Sequence, residues 1–158
     1  MVCKIVLSHS TVSGCYKDNN SMITDKTMPE HKDDMSDRLN LLLVDDEEGF
    51  VNVIANRMSK RGIDTTKALN GTDAIQALRK QDFDVAVLDL KMEDMDGIEV
   101  LKVFKKMVPE MPVIMLTGHG SERAAREGIE QGAFDYLSKP CELHELVLKI
   151  REAVSKGR

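Results

Sequence analysis

From Arg38 onward the chain alternates short apolar runs with longer stretches in which apolar residues recur every three or four positions. Leu39-Asn40-Leu41-Leu42-Leu43-Val44 reads as a strand buried on both faces, and it runs into Asp45-Asp46. Glu47 to Lys60 has Phe50, Val53, Ile54 and Met58 spaced for one helical face. Its acidic first turn suits the positive end of the helix dipole, and Gly62 stops it. Ile63 to Leu69 is a weaker second strand, in which Thr65 and Thr66 fit by β-propensity. Asn70-Gly71-Thr72-Asp73 opens a helix to Lys80 that buries Ala74, Ile75 and Leu78. Asp84 to Leu88 is the central strand, ended by Asp89.

A loop follows from Asp89 to Asp96, then a turn at Gly97 and a helix over Ile98 to Met107 with Leu101 and Phe104 inward. Pro109 and Pro112 bracket the next connection. Met111 to Leu116 is the fourth strand, ending at Thr117. Gly118-His119-Gly120 is a turn, and Ser121 would cap a helix to Glu130 whose apolar face is thin: Ala124, Ala125 and Ile129. Ala133 to Leu137 is the fifth strand, reaching Ser138-Lys139-Pro140. In the last helix, Glu142 to Val154, the residues Leu143, Leu146, Val147, Ile150 and Val154 form one stripe. Five βα units predict an α/β fold: a doubly wound parallel sheet with helices on both faces.

Residues 1–37 show no sustained period and are rich in Ser, Thr, Asn, Asp and Lys. Such a composition buries too little to offset ordering entropy and predicts a disordered leader. Met35-Ser36-Asp37 would equally serve as the start of a compact domain, so an over-called start codon and a functional tail are both open. The domain itself is expected over 38–156.

Composition narrows the function classes. A net charge of −5 does not point to a nucleic-acid partner, and 4% aromatics without Trp argue against base-stacking platforms. Cys3, Cys15 and Cys141 form no CxxC pair, which fits reduced thiols in a cytoplasmic setting. Val12-Ser13-Gly14-Cys15 has the look of a lipoprotein cleavage box. Only three consecutive apolar residues precede it, however, where an export signal needs about 7–15. No apolar run approaches the roughly 18 residues of a membrane span.

The ends of four strands read Asp45-Asp46, Asp89, Thr117 and Lys139. In a parallel sheet these share one edge, where ligands of open α/β folds bind. Asp89 alone is either a turn cap or a reactive group. Three carboxylates in one place repel and call for a cation, and an all-oxygen site suits Mg²⁺. A hydroxyl and an ammonium beside them complete a cradle for a phosphoryl group, with Asp89 as a carboxylate nucleophile that forms an aspartyl-phosphate.

Four strings carry a family resemblance: Leu42-Leu43-Val44-Asp45-Asp46-Glu47; Asp89-Leu90-Lys91-Met92 with Met95-Asp96-Gly97; Leu116-Thr117-Gly118; and Gly132-Ala133-Phe134-Asp135-Tyr136-Leu137-Ser138-Lys139-Pro140. In this order they resemble the response-regulator receiver domain of two-component signalling, from Asn40 to about Val154. The resemblance implies the flavodoxin-like (βα)5 fold with strand order 2-1-3-4-5 and a cis peptide before Pro140. It implies that Asp45 and Asp46 hold Mg²⁺, with Asp46 the more direct ligand, and that the backbone carbonyl of Lys91 adds another. Asp89 would accept the phosphoryl group from a sensor histidine kinase and ligate the metal. Thr117 and Lys139 would bind phosphoryl oxygens. Tyr136 would be the switch aromatic, repacking the face formed by the fourth helix, fifth strand and fifth helix. Only four residues follow Val154. The expectation is therefore a stand-alone phosphoacceptor that catalyses its own phosphorylation and dephosphorylation without being a conventional enzyme. Its signal would go to a downstream protein target or, in a relay, to a phosphotransfer domain.

Competing readings fit less well. A Mg²⁺-dependent aspartyl phosphatase or mutase would need a DxD arrangement after the first strand and room for a cap. A degenerate scaffold would not retain Asp46, Asp89, Thr117 and Lys139 together. Three positions depart from or vary within the family pattern. Glu93 stands where Pro is frequent, which loosens the loop and adds charge near the metal. Lys91 and His119 border the pocket, where they either tune phosphoryl lifetime or point to solvent. Cys141 at a helix start reads as a quiet thiol, Met92, Met95 and Met107 as gap fillers, and His144 as solvated. Lys91→Asn is expected to change the rate of autodephosphorylation; an unchanged decay of the phosphorylated protein would place Lys91 outside the chemistry.

Overall fold

The computed structural model describes residues 38–118 and 122–157, with the side chains of Thr117 and Glu122 outside that description. The strands are β1 (Leu39–Val44), β2 (Ile63–Ala68), β3 (Val85–Asp89), β4 (Val113–Thr117) and β5 (Asp135–Ser138). Between and after them come α1 (Glu48–Ser59), α2 (Gly71–Lys80), α3 (Gly97–Met107), α4 (Glu122–Glu130) and α5 (Leu143–Gly157). All neighbouring strands pair in parallel in the order β2-β1-β3-β4-β5. The flavodoxin-like order 2-1-3-4-5 is thus the observed one, and the Lys139–Pro140 peptide is cis.

Two apolar layers explain why the three inner strands are so uniformly hydrophobic. Leu41 and Leu43, Val85 and Val87, and Ile114 and Leu116 pack with α1 and α5. Their neighbours Leu42 and Val44, Ala86 and Leu88, and Val113 and Met115 pack with α2 and α3. Alternate side chains of a strand point to opposite faces, so a sheet covered on both sides needs an apolar residue at every position. The α5 stripe of Leu143, Leu146, Val147, Ile150 and Val154 is buried as expected.

Several boundaries differ from the sequence reading. β4 begins at Val113 rather than Met111, because Pro112 has no N–H for the ladder and contributes only its carbonyl, which accepts from Ala86 N–H at 3.0 Å. β5 is Asp135–Ser138, later than the apolar run placed it. Ala133 is buried against the α2/α3 layer, and pairing with Ile114 starts only at Asp135. In α1 it is Val51, not Val53, that joins Phe50, Ile54 and Met58 inside; Val53 is exposed. Ile75 is only half-buried, and Met107 is exposed rather than filling a gap, whereas Met92 and Met95 do pack on the core. In α4, Ala125 is buried, Ala124 is half-buried and Ile129 is exposed. His144 is exposed, and Cys141 is half-buried against the α1/α5 layer. The expectations for residues 1–37, His119 and Ser121 fall outside the described residues.

Gly97 belongs to α3 rather than to a turn ahead of it. Asp96 is the N-cap, its Oδ1 accepting from Ile98 N–H at 2.8 Å. A Cβ on Gly97 would lie 2.3 Å from the carbonyl oxygen of Asp89 and 2.8 Å from Cα of Leu90. Contacts that short against backbone cannot be relieved by a rotamer change. Gly97→Ala is expected to lower the unfolding free energy by about 2–3 kcal/mol, measured by urea denaturation.

Candidate functional site

The register of the sheet brings the four strand ends to one edge. Val44 pairs with Leu88, Asp89 with Leu116, and Thr117 with Ser138. Asp45 and Asp89 therefore emerge side by side, and Lys139 follows one residue beyond the last pair. Residues 41, 43, 85, 87 and 137 all face the α1/α5 layer. Positions 45, 89 and 139 continue that alternation, so their side chains converge over the end of α1.

Asp45 is fully buried and Asp89 nearly so. One carboxylate oxygen from each of Asp45, Asp46 and Asp89 lies within 4.8 Å of the others, while Asp46 itself is exposed. The Lys139 ammonium donates to Asp45 Oδ2 at 2.5 Å and sits 3.3 Å from Asp89 Oδ1 and 3.7 Å from Glu47 Oε1. The Phe50 ring lies beneath it, 4.9 Å from Nζ to centroid, in the range of a cation–π contact. Asp45 Oδ1 accepts from Glu47 N–H at 3.0 Å, which holds its carboxylate at the start of α1.

Burial pushes the Asp89 carboxyl up from 3.8 to about 6; Lys139 opposes the rise, and the charges of Asp45 and Asp46 add to it. Asp45 is also raised by burial, in spite of Lys139 and the Glu47 amide. For Lys139, burial disfavours the charge, but the hydrogen bond to Asp45 and the charge of Asp89 outweigh it and hold the ammonium above its ordinary range. Ionised carboxylates this close repel by roughly 3 kcal/mol per pair at an effective dielectric of about 20. One ammonium does not balance three such groups. The donor set, all carboxylate oxygen and open to solvent at Asp46, fits a hard divalent cation such as Mg²⁺ that keeps several waters.

The structure thus assembles Asp45, Asp46, Asp89 and Lys139. Thr117 contributes the last position of β4, beside the strand of Asp89. Lys91 and Glu93 are exposed on the loop after β3, and Tyr136 is exposed on β5. Sequence reasoning assigned no role here to Glu47 or to the aromatic face of Phe50. The signal was available: one is the N-cap and the other lies in the first turn of the helix that follows an acidic strand end. It also passed over Asp94 in the β3–α3 loop, whose carboxylate accepts from the amides of Gly71 and Thr72 at the start of α2.

Comparison with known proteins agrees with the geometry. The sequence profile of the response regulator receiver domain matches residues 41–151. An NtrX-like response regulator named in Rickettsia felis is 36% identical over 118 residues, which is 73% of this chain and 25% of that protein. The transcriptional regulatory protein GlrR of Escherichia coli is 34% identical over 117 residues, 74% of this chain and 26% of that protein. The chain therefore spans about a quarter of the length of these curated relatives. The solved receiver domain of the Francisella response regulator 1452 superposes with a TM-score of 0.71 at 31% identity, covering 77% of this chain and all of that one. Among the described residues no helix is long and apolar enough to cross a membrane.

Because the folded pKa of Asp89 lies above its unfolded value of 3.8, the native state keeps this proton where the unfolded chain has lost it. The resulting stabilisation is complete below about pH 4 and disappears as the pH rises through about 6. In Mg²⁺-free buffer at pH 7, Asp89→Asn is expected to raise stability by about 1–3 kcal/mol and to flatten the slope between those pH values, read by denaturant melts across pH.

Proposed function

Since the chain belongs to the response regulator receiver domain family, we propose that it is a phosphoacceptor switch that takes a phosphoryl group from a sensor histidine kinase on Asp89. The observation that carries this reading is the placement of Asp89. Its buried carboxylate ends the central strand, 3.3 Å from the Lys139 ammonium and within the cluster completed by Asp45 and Asp46. The domain comprises residues 38–156 and works in the cytoplasm.

An oxygen of Asp89 attacks the phosphorus of a phosphohistidine; the new P–O bond forms as the P–N bond breaks, and the imidazole leaves. Asp45, Asp46, Asp89 and the backbone carbonyl of Lys91 would hold Mg²⁺, which when bound neutralises charge on the carboxylate and on the phosphoryl oxygens. Lys139 already bridges Asp45 and Asp89, and turns to a phosphoryl oxygen once the group arrives. Thr117 donates its hydroxyl to another. Water later attacks the acyl phosphate, so both gain and loss of the group are catalysed by the domain's own residues, without an enzyme's turnover of a separate substrate.

Output runs through the surface of α4, β5 and α5, where Tyr136 stands exposed and Asp135 is paired with Lys149. Movement of Thr117 toward the phosphoryl group leaves space that Tyr136 fills by turning inward. The recipient is a protein, either a target or a phosphotransfer domain. The net charge of −5 over the whole chain argues against direct nucleic-acid contact.

Profiling phosphotransfer from the host's purified histidine kinases should label the wild type rapidly and Mg²⁺-dependently with a cognate kinase, and leave Asp89→Asn unlabelled. Wild-type labelling of that variant would show that the acceptor lies elsewhere.

A further inference from the structure

The loop between β3 and α3 carries Lys91 and runs from Leu90 to Asp96. Its base is closed by Gly97 N–H donating to Leu90 O at 3.0 Å, with Gly97 seated against the Asp89 carbonyl. Its far side is held by a different contact. Asp94 Oδ1 accepts from Gly71 N–H at 3.1 Å, and its Oδ2 accepts from Thr72 N–H at 3.2 Å and from the Thr72 hydroxyl at 3.4 Å.

These partners are the first two amides of α2, which no bond within the helix satisfies. The third, Asp73 N–H, donates to the side chain of its own N-cap, Asn70. Helix α2 is therefore capped jointly, once by its own N-cap residue and once by a carboxylate 22–23 residues further on. A negative group is also the charge that the helix dipole favours there. Beside the clamp, Gly71 has no room for a side chain: a Cβ would lie 2.7 Å from Val100 Cγ2 and 3.2 Å from Met95 Cβ. The loop residue Met95 and the helix start are in close contact, and Asp94 locks that contact with hydrogen bonds. Glu93 places no proline ring in this loop, so the restraint on its backbone comes from outside it.

We infer that Asp94 is a positioning residue: by docking on the amides of Gly71 and Thr72 it fixes the β3–α3 loop, and so presents the Lys91 carbonyl to the cation site. This rests on the reading of Asp45, Asp46, Asp89 and the Lys91 carbonyl as a Mg²⁺ site. It assigns to α2 a part in assembling that site, although no residue of α2 enters it.

The test combines Mg²⁺ titration calorimetry with amide hydrogen exchange of the metal-free protein. Asp94→Ala should speed exchange across residues 90–96 and weaken Mg²⁺ binding roughly tenfold, the scale of losing a group that orients a ligand. Asp94→Asn keeps one accepting oxygen where the clamp uses two, so its loss should fall between wild type and Asp94→Ala. Pro at position 93 stiffens the same backbone, so Glu93→Pro combined with Asp94→Ala should recover the lost affinity. A general loss of stability would not be repaired in this way. Unchanged exchange in the loop, or Asp94→Ala binding Mg²⁺ as wild type does, overturns the inference, whatever happens to the melting temperature. Failure of the wild type itself to bind Mg²⁺, or equal binding by Asp89→Asn, brings down the metal-site reading as well, and the two failures are thereby told apart.

Discussion

One ammonium among three carboxylates sets the terms for the rest of this domain. Lys139 reaches Asp45 and Asp89 at 2.5 and 3.3 Å in a place from which water is largely excluded. A buried charge left without a partner costs several kcal/mol, so each element bearing one of these groups must arrive in register. The parallel pairing of β1, β3, β4 and β5 achieves this, and the two apolar layers hold the pairing in place. The site is crowded with negative charge by construction. That surplus makes the site fit for a hard divalent cation, and it adds to the burial that lifts Asp89 to about 6.

Much of this was legible in the chain because it follows from residue type and order. Apolar runs that stop at Asp, Asp, Thr and Lys identify both the sheet and its reactive edge, since parallel connections bring all such ends together. The helix face of α1 was legible too, yet was misread. At 100° per residue, Phe50, Ile54 and Met58 centre on a direction from which Val51 departs by about 60° and Val53 by about 100°. Wheel geometry therefore selects Val51, as the structure does.

Other features depend on distances that sequence spacing does not encode. Apolar character marks where a chain is buried but not where its ladder begins, so Met111, Pro112 and Ala133 looked like strand and are buried approaches to one. The docking of Asp94 on α2 joins segments more than twenty positions apart through a loop whose path no local pattern dictates. Asp96 and Gly97 were visible as a turn signature. That Gly97 lies against the backbone of Asp89 itself emerges only once α3 is packed.

That last contact makes the two flanks of Asp89 unlike each other. The first residue of α3 abuts the carbonyl oxygen of Asp89, and α3 in turn crowds the first residue of α2 through Val100. On this flank the backbone of Asp89 is wedged, and a displacement there would have to carry two helices with it. Across the sheet, β5 is short and half-exposed, and Tyr136 has open solvent beside it. The surroundings of Asp89 are therefore unequal, close-packed on one side and open on the other. The one carboxylate at the end of the central strand thus has packed backbone toward α3 and α2, and free space toward β5.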